Sequence, residues 1–305
     1  PDYSGVRDRL RVLLESGYAD EVLALGKELL EAGLKQVEMS NDEGETQAEI
    51  AACLAVVFAA LPQSSLTPGE QLLWAVEAAL ADEYELCRGI ADFWRREYPA
   101  AAWGYLADEL KRRLENYPAV KDPTNFSWRY TRDRLTDFLI MALDKAGRGE
   151  EVIPLCKREA RLTGSYVRLV KRLVEAGRWE EAEVWIEEGC RATRMELPGI
   201  AAELREILRK RLEETHDWWR LAGLEAEDFF GGPSARTYMA LKRTAERLGV
   251  WPAVRVGLLR YLETGEPPFA CKGEPSSAWP LGEVAPPEQR RPLRFPLANV
   301  CSTLP

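Results

Sequence analysis

The chain holds a single histidine, His216, and only four methionines among 305 residues. One histidine excludes paired-histidine metal sites and the HExxH zinc motif. A Ser-His-Asp site would have to use His216, and no Gly-x-Ser-x-Gly elbow accompanies it. His216 reads as a polar turn residue followed by Asp217-Trp218-Trp219. Neither GxxxxGK[ST] nor GxGxxG occurs, so the usual phosphate cradles are missing. No apolar run approaches the roughly 18 residues of a membrane span. The longest candidate, Ile50 to Leu61, reads as a buried helix. The six cysteines (Cys53, Cys87, Cys156, Cys190, Cys271 and Cys301) are scattered without a CxxC. That spacing excludes the common zinc sites. The first four fall in helical patterns and read as small hydrophobes in a reducing cytoplasm. No strand alternation is evident anywhere.

Basic charge is also in short supply. The net charge of −9 argues against a protein devoted to bulk nucleic acid or anionic membrane. Carboxylates abound, yet none is singled out for acid–base work. The acidic stretch Asn41-Asp42-Glu43-Gly44-Glu45 lacks the alternating ligands of a calcium loop and fits helix capping better. No cofactor is expected. The chain begins Pro1-Asp2-Tyr3-Ser4, without Met or the features of a signal peptide, and the reading expects a piece of a longer chain.

What the chain does contain is a phrase repeated. Gly177-Arg178-Trp179-Glu180-Glu181-Ala182 is echoed by Gly147-Arg148-Gly149-Glu150-Glu151-Val152 and by Gly17-Tyr18-Ala19-Asp20-Glu21-Val22. Looser echoes are His216-Asp217-Trp218 and Gly249-Val250-Trp251. Before Gly177, the residues Tyr166, Leu169, Val170, Leu173 and Val174 trace one apolar helix face. Gly177 ends that helix, because glycine takes the left-handed conformation at low cost. The following helix is expected to bury Trp179, Ala182, Trp185 and Ile186. Val152, Leu155 and Ala160 align with Val22, Leu25 and Leu30. The successive intervals between Gly147, Gly177, His216 and Gly249 are 30, 39 and 33 residues, bracketing the ~34-residue tetratricopeptide period without its strict pattern.

Helix starts are signposted too. Thr67-Pro68-Gly69-Glu70 predicts a capping box, as does Ser40 with Glu43 or Thr46 with Glu49. About fourteen helices are expected between residues 4 and 263. The predicted fold is all-α: a right-handed α-solenoid of tetratricopeptide-like hairpins over residues 1–263. Residues 264–305 hold nine of the nineteen prolines and read as an extended or disordered tail, with Phe269, Trp279 and Phe295 as candidate anchors.

Two basic clusters stand out, one of Arg158, Arg161, Arg168, Lys171 and Arg172, the other running from Lys111-Arg112-Arg113 to Lys121, Arg129, Arg132 and Arg134. Glu159, Glu175 and Asp133 lie near enough in sequence to neutralise them. Ten tryptophans are present, and most sit in phase with Leu and Val; adjacent Trp218 and Trp219 cannot both face a core. Candidate partner-binding residues are therefore Arg168, Lys171, Arg172, Trp218 and Trp219.

Several phrases together carry a likeness. They include Asp2-Tyr3-Ser4-Gly5-Val6, Gln36-Val37-Glu38, Glu70-Gln71-Leu72-Leu73-Trp74-Ala75, Phe93-Trp94-Arg95-Arg96-Glu97-Tyr98-Pro99, Gly164-Ser165-Tyr166-Val167-Arg168 and Trp251-Pro252-Ala253-Val254-Arg255. Over residues 2–281 the chain resembles the C-terminal helical region of prokaryotic proteins with a SWIM zinc finger. The CxC…CxH finger itself has no counterpart here, so no zinc ligand is carried over. The repeated hairpins lead to the expectation of a non-catalytic, cytoplasmic interaction scaffold, part of a longer SWIM zinc finger-type protein, whose partner is a protein or peptide. Its rival is an accessory module that positions a separate zinc finger on DNA, with nucleic acid touched only by that finger or a weak basic face. No membrane partner is expected.

Overall fold

The computed structural model describes residues 3–119, 125–265 and 280–281. Among them the chain is all-α, with fourteen α-helices and no strand. The helices are α1 (Ser4–Glu15), α2 (Ala19–Met39), α3 (Glu45–Ala60), α4 (Pro68–Ala81), α5 (Ile90–Trp94), α6 (Ala100–Glu115) and α7 (Phe126–Lys145). They continue as α8 (Val152–Thr163), α9 (Tyr166–Glu175), α10 (Trp179–Thr193), α11 (Pro198–Glu214), α12 (Trp218–Gly231), α13 (Ala235–Arg247) and α14 (Trp251–Thr264). The chain divides into two compact units, Pro1–Trp185 and Ile186–Pro305, and the division falls inside α10.

The repeated phrase is one backbone device used five times. Gly17, Gly147, Gly177, His216 and Gly249 all have positive φ, between 58° and 86°. The residue after each donates its N–H five residues back: Tyr18 to Leu13, Arg148 to Leu143, Arg178 to Leu173, Asp217 to Leu212 and Val250 to Ala245, at 2.8–3.0 Å. This double-bonded ending satisfies the carbonyls that a helix terminus leaves open and reverses the chain within two residues. Leu143, Leu173, Leu212 and Ala245, which accept these bonds, are buried. Three of the five turns place Trp179, Trp218 and Trp251 at the first position of the next helix, and all three are half-buried. Trp179 is thus not the buried residue the periodicity suggested; Ala182, Trp185 and Ile186 are. A helix entry exposes the ring on its turn side, which i, i+3 counting does not register.

His216 is the odd member, since a side chain in the left-handed region costs about 1 kcal/mol relative to glycine. Its ring meets Trp218 edge-on at 5.3 Å, which recovers part of that cost. His216→Gly is expected to stabilise the protein by about 0.5–1 kcal/mol in chemical denaturation. Equal or lower stability would assign the Trp218 contact the larger share.

In the first unit, α1 packs on α2 and α3, α2 on α3, α4 on α6, α6 on α7, α7 on α8 and α8 on α9. Close approach of α2 to α3 depends on Gly26 and Gly33: a Cβ at either would meet Val57 at 2.3 Å or Ile50 at 2.8 Å. α3 buries Ile50, Cys53, Leu54, Val57 and Phe58. By length and composition Glu45–Gln63 is apolar enough to cross a membrane, but half of it is buried inside the protein, as in a core helix. The capping of α3 differs from expectation. Neither Ser40 nor Thr46 holds the N-cap position, which is Gly44 with positive φ; Asp42, two residues earlier, accepts from the N–H groups of Gly44 and Thr46 at 3.0 and 3.1 Å. Hydroxyls of Thr46 and Ser40 also donate to Asp42 and hold its carboxyl well below the usual carboxylate range. The Thr67–Glu70 capping box forms as expected. Leu25 is exposed, unlike its aligned partner Leu155. Cys87 lies in the turn after α4 rather than in a helix.

In the second unit, α12 packs on α11 and α13, and α13 on α14. Its core gathers Phe229, Phe230, Tyr238, Leu241, Leu258 and Tyr261. Arg205 on α11 grips Glu227 and Asp228 of α12, each at 2.8 Å. Glu225 on α12 is only 4% exposed and its Oε2 has no hydrogen-bond partner. Burial pushes its carboxyl upward; Thr244, Arg209 and Arg243 oppose this, and Glu213 adds to it. A folded-state pKa above the unfolded one means that ionisation costs stability as pH rises through it. Glu225→Gln is accordingly expected to stabilise by about 1 kcal/mol at pH 7, with the gain fading below the unfolded carboxylate pKa of about 4.3. Melting curves of both proteins at pH 4 and pH 7 check the sign; a gain that grows on acidification would contradict it.

Candidate functional site

The cleft of interest lies between α7 and α9. Asn125 starts α7 by accepting from the Trp128 N–H at 2.9 Å. Gly164, in the left-handed conformation, ends α8 so that α9 can begin at Tyr166. The strongly one-sided α9 buries Tyr166, Leu169, Val170 and Leu173. Arg168 and Arg172, one turn apart on its other side, are thereby aimed at α7. Arg168 reaches Asp133 at 2.8 Å and Asp137 at 2.9 Å. Arg172 reaches Asp144 at 2.6 Å and Glu175 at 3.7 Å. Between these two charge clamps Ile140, Met141 and Lys145 complete the walls of an open groove of about 350 Å³. Burial raises the Asp137 carboxyl above its ordinary value, with Arg168 opposing and Asp133 reinforcing the rise.

Of the expected partner-binding residues, Arg168 and Arg172 line this cleft, while Lys171 is exposed on the same helix. Trp218 and Trp219 belong to the second unit. Trp219 is 53% exposed, whereas Trp218 lies 4.5 Å beneath the Arg247 guanidinium and packs on Leu212, Leu221 and Leu224. The adjacency argument thus sorts the pair: one ring outward, one half in. Asp137, Asp144, Ile140 and Met141 were not singled out by sequence. The 133, 137, 144 spacing of the aspartates matches one face of α7, but its use depends on which helix lies opposite.

Much of the second basic cluster is paired within the first unit, although Arg112 stays exposed and Lys111 is only half-buried. Arg132 forks onto Glu159 at 2.7 and 3.0 Å, with Glu159 fully buried. The same guanidinium lies over the rings of Tyr117 (5.3 Å) and Trp128 (5.4 Å). Trp128 in turn donates Nε1–H to the Pro118 carbonyl at 2.8 Å, tying the end of α6 to α7. Arg134 donates to the carbonyls of Ala79 and Leu80 in the last turn of α4 and of Asp82 just after it. Arg113 pairs with Glu77, and Lys111 with Glu151 at 2.9 Å. Lys121 lies outside the described residues. In the first cluster, Arg158 pairs with Glu159 at 2.9 Å and Arg161 covers the Trp185 ring at 4.7 Å.

Burial pushes the Cys87 thiol up to about 12, with Asp82 adding to the rise, and the Cys156 thiol up to about 11. Both are therefore protonated at neutral pH and poor nucleophiles. Among the described residues no three His, Cys, Asp or Glu side chains come together as a metal site would require. No known family model, curated protein or solved structure matches the chain.

Proposed function

We propose that the chain is a non-catalytic interaction scaffold: a right-handed α-solenoid of tetratricopeptide-like hairpins that holds a protein or peptide partner across the α7–α9 face. The observation that carries this reading is the turn used five times with one hydrogen-bond pattern. A chain that repeats one hairpin geometry builds extended binding surfaces from equivalent helices. The mixed walls of the α7–α9 cleft, apolar between two charge clamps, suit a peptide bearing both signs of charge around an apolar anchor. Pairing of Arg168 and Arg172 with aspartates leaves little unbalanced positive charge there for a phosphate backbone. The resemblance to helical regions of SWIM zinc finger proteins fits a supporting rather than a catalytic part. Buried free thiols at Cys53, Cys87 and Cys156 suit a reducing cytoplasm.

The test is affinity capture from the source organism's lysate, with and without nuclease, for the unaltered chain and Met141→Arg. A stoichiometric protein that survives nuclease and is lost with Met141→Arg is expected. Recovery abolished by nuclease would favour the nucleic-acid module instead, and recovery indifferent to Met141→Arg would move the site elsewhere.

A further inference from the structure

The last hairpin, α13–α14, has no helix pair after it among the described residues, yet its apolar surface is not bare. Leu248, Val250, Trp251 and Leu259 lie partly buried around the core of Tyr238, Leu241, Leu258 and Tyr261, and one residue joins them from far along the chain: Leu281. It follows Pro280, in a two-residue turn separated from the end of α14 by residues 266–279. The terminal unit of a helical array has an outward apolar face that no neighbour covers, and such faces require a cap. A proline-flanked leucine suits this role, because the proline limits the entropy lost on docking.

We propose that Pro280–Leu281 is a detachable plug, and that its seat on the α12–α14 core is a peptide-binding surface occupied in cis by these residues of the same chain. Fourteen residues, 266–279, join the plug to α14, a length that can span at most ~50 Å. Tethering supplies an effective concentration in roughly the millimolar range, which a free peptide at micromolar levels does not overcome. Displacing the plug exposes the seat.

The experiment uses the full chain and a fluorescent peptide of residues 274–287, followed by anisotropy. The unaltered chain is expected to bind the peptide poorly because the seat is filled. Leu281→Asp in the chain removes the competitor and is expected to tighten peptide binding by about tenfold, the equivalent of burying one leucine in part. The same peptide carrying Leu281→Asp is expected not to bind. Leu281→Ala provides a milder version should the aspartate variant unfold. Equal binding by the unaltered chain and both variants would show that the seat is not occupied in cis. Absence of binding to every chain, or binding indifferent to the peptide's own leucine, would overturn the seat itself.

Discussion

Glu159→Ala is expected to cost the fold about 3–5 kcal/mol, among the largest losses from a single change in the first unit. The reason is what remains behind. Glu159 is fully buried, and its two oxygens fork onto Arg132. Arg132 is itself 8% exposed and sandwiched between Tyr117 and Trp128. Removing the carboxylate takes away the counter-charge that both Arg132 and Arg158 are paired with, and leaves the buried guanidinium of Arg132 against the two rings. The rings compensate only in part, since a cation over an aromatic face is worth about 2 kcal/mol when desolvated. Replacing both partners, Arg132→Met with Glu159→Leu, is expected to recover most of the loss, because an apolar pair needs no hydrogen bonds. Urea denaturation of the two single variants and the double variant closes the cycle. A double variant as unstable as Glu159→Ala would mean that the pair specifies the α7–α8 packing in a way apolar residues cannot replace.

Trp185→Ala is expected to cost about 3–5 kcal/mol, and Trp179→Ala only about 1–2 kcal/mol. Both rings belong to α10 and both fit an apolar periodicity. Trp185 is 7% exposed, lies 6.3 Å from the Tyr166 ring and carries Arg161 on its face. Its removal leaves a cavity bounded by two helices and uncovers a cation. Trp179 stands at the helix entry and is only half-buried. Thermal melts of the two variants compare them directly. Equal losses would mean that the helix-entry tryptophans at 179, 218 and 251 are as deeply fixed as core residues.

The contrast shows what was legible in the sequence. All five turns were marked, even where glycine gives way to His216, because a left-handed residue between two amphipathic stretches imposes a local pattern. Helix content followed from the same local signals. The capping of α3 was misread because three polar residues within seven, Ser40, Asp42 and Thr46, compete for the N–H groups at its start, and the carboxylate wins by reaching two of them. The candidate cleft was half legible. Arg168 and Arg172 could be picked out, and Asp133 suspected as a counter-charge. Asp137 and Asp144 could not be assigned, since their meaning depends on α9 lying against α7, a relation between segments that no local spacing encodes. The same holds for Arg134, whose carbonyl acceptors lie more than fifty residues earlier in the chain.

The buried thiols offer a further use. Cys53, Cys87 and Cys156 sit at 0–5% exposure in three different places of the first unit, and Cys190 is half-buried in the second. A thiol reagent reaches a sealed cysteine only during an opening event, so each labelling rate measures how often that locality breathes. Among the described residues, three sealed thiols thus serve as natural clocks, readable by mass spectrometry, with half-buried Cys190 as a faster reference. Addition of a ligand should slow those near its site and leave the others running, which converts a search for a partner into a map of where that partner sits.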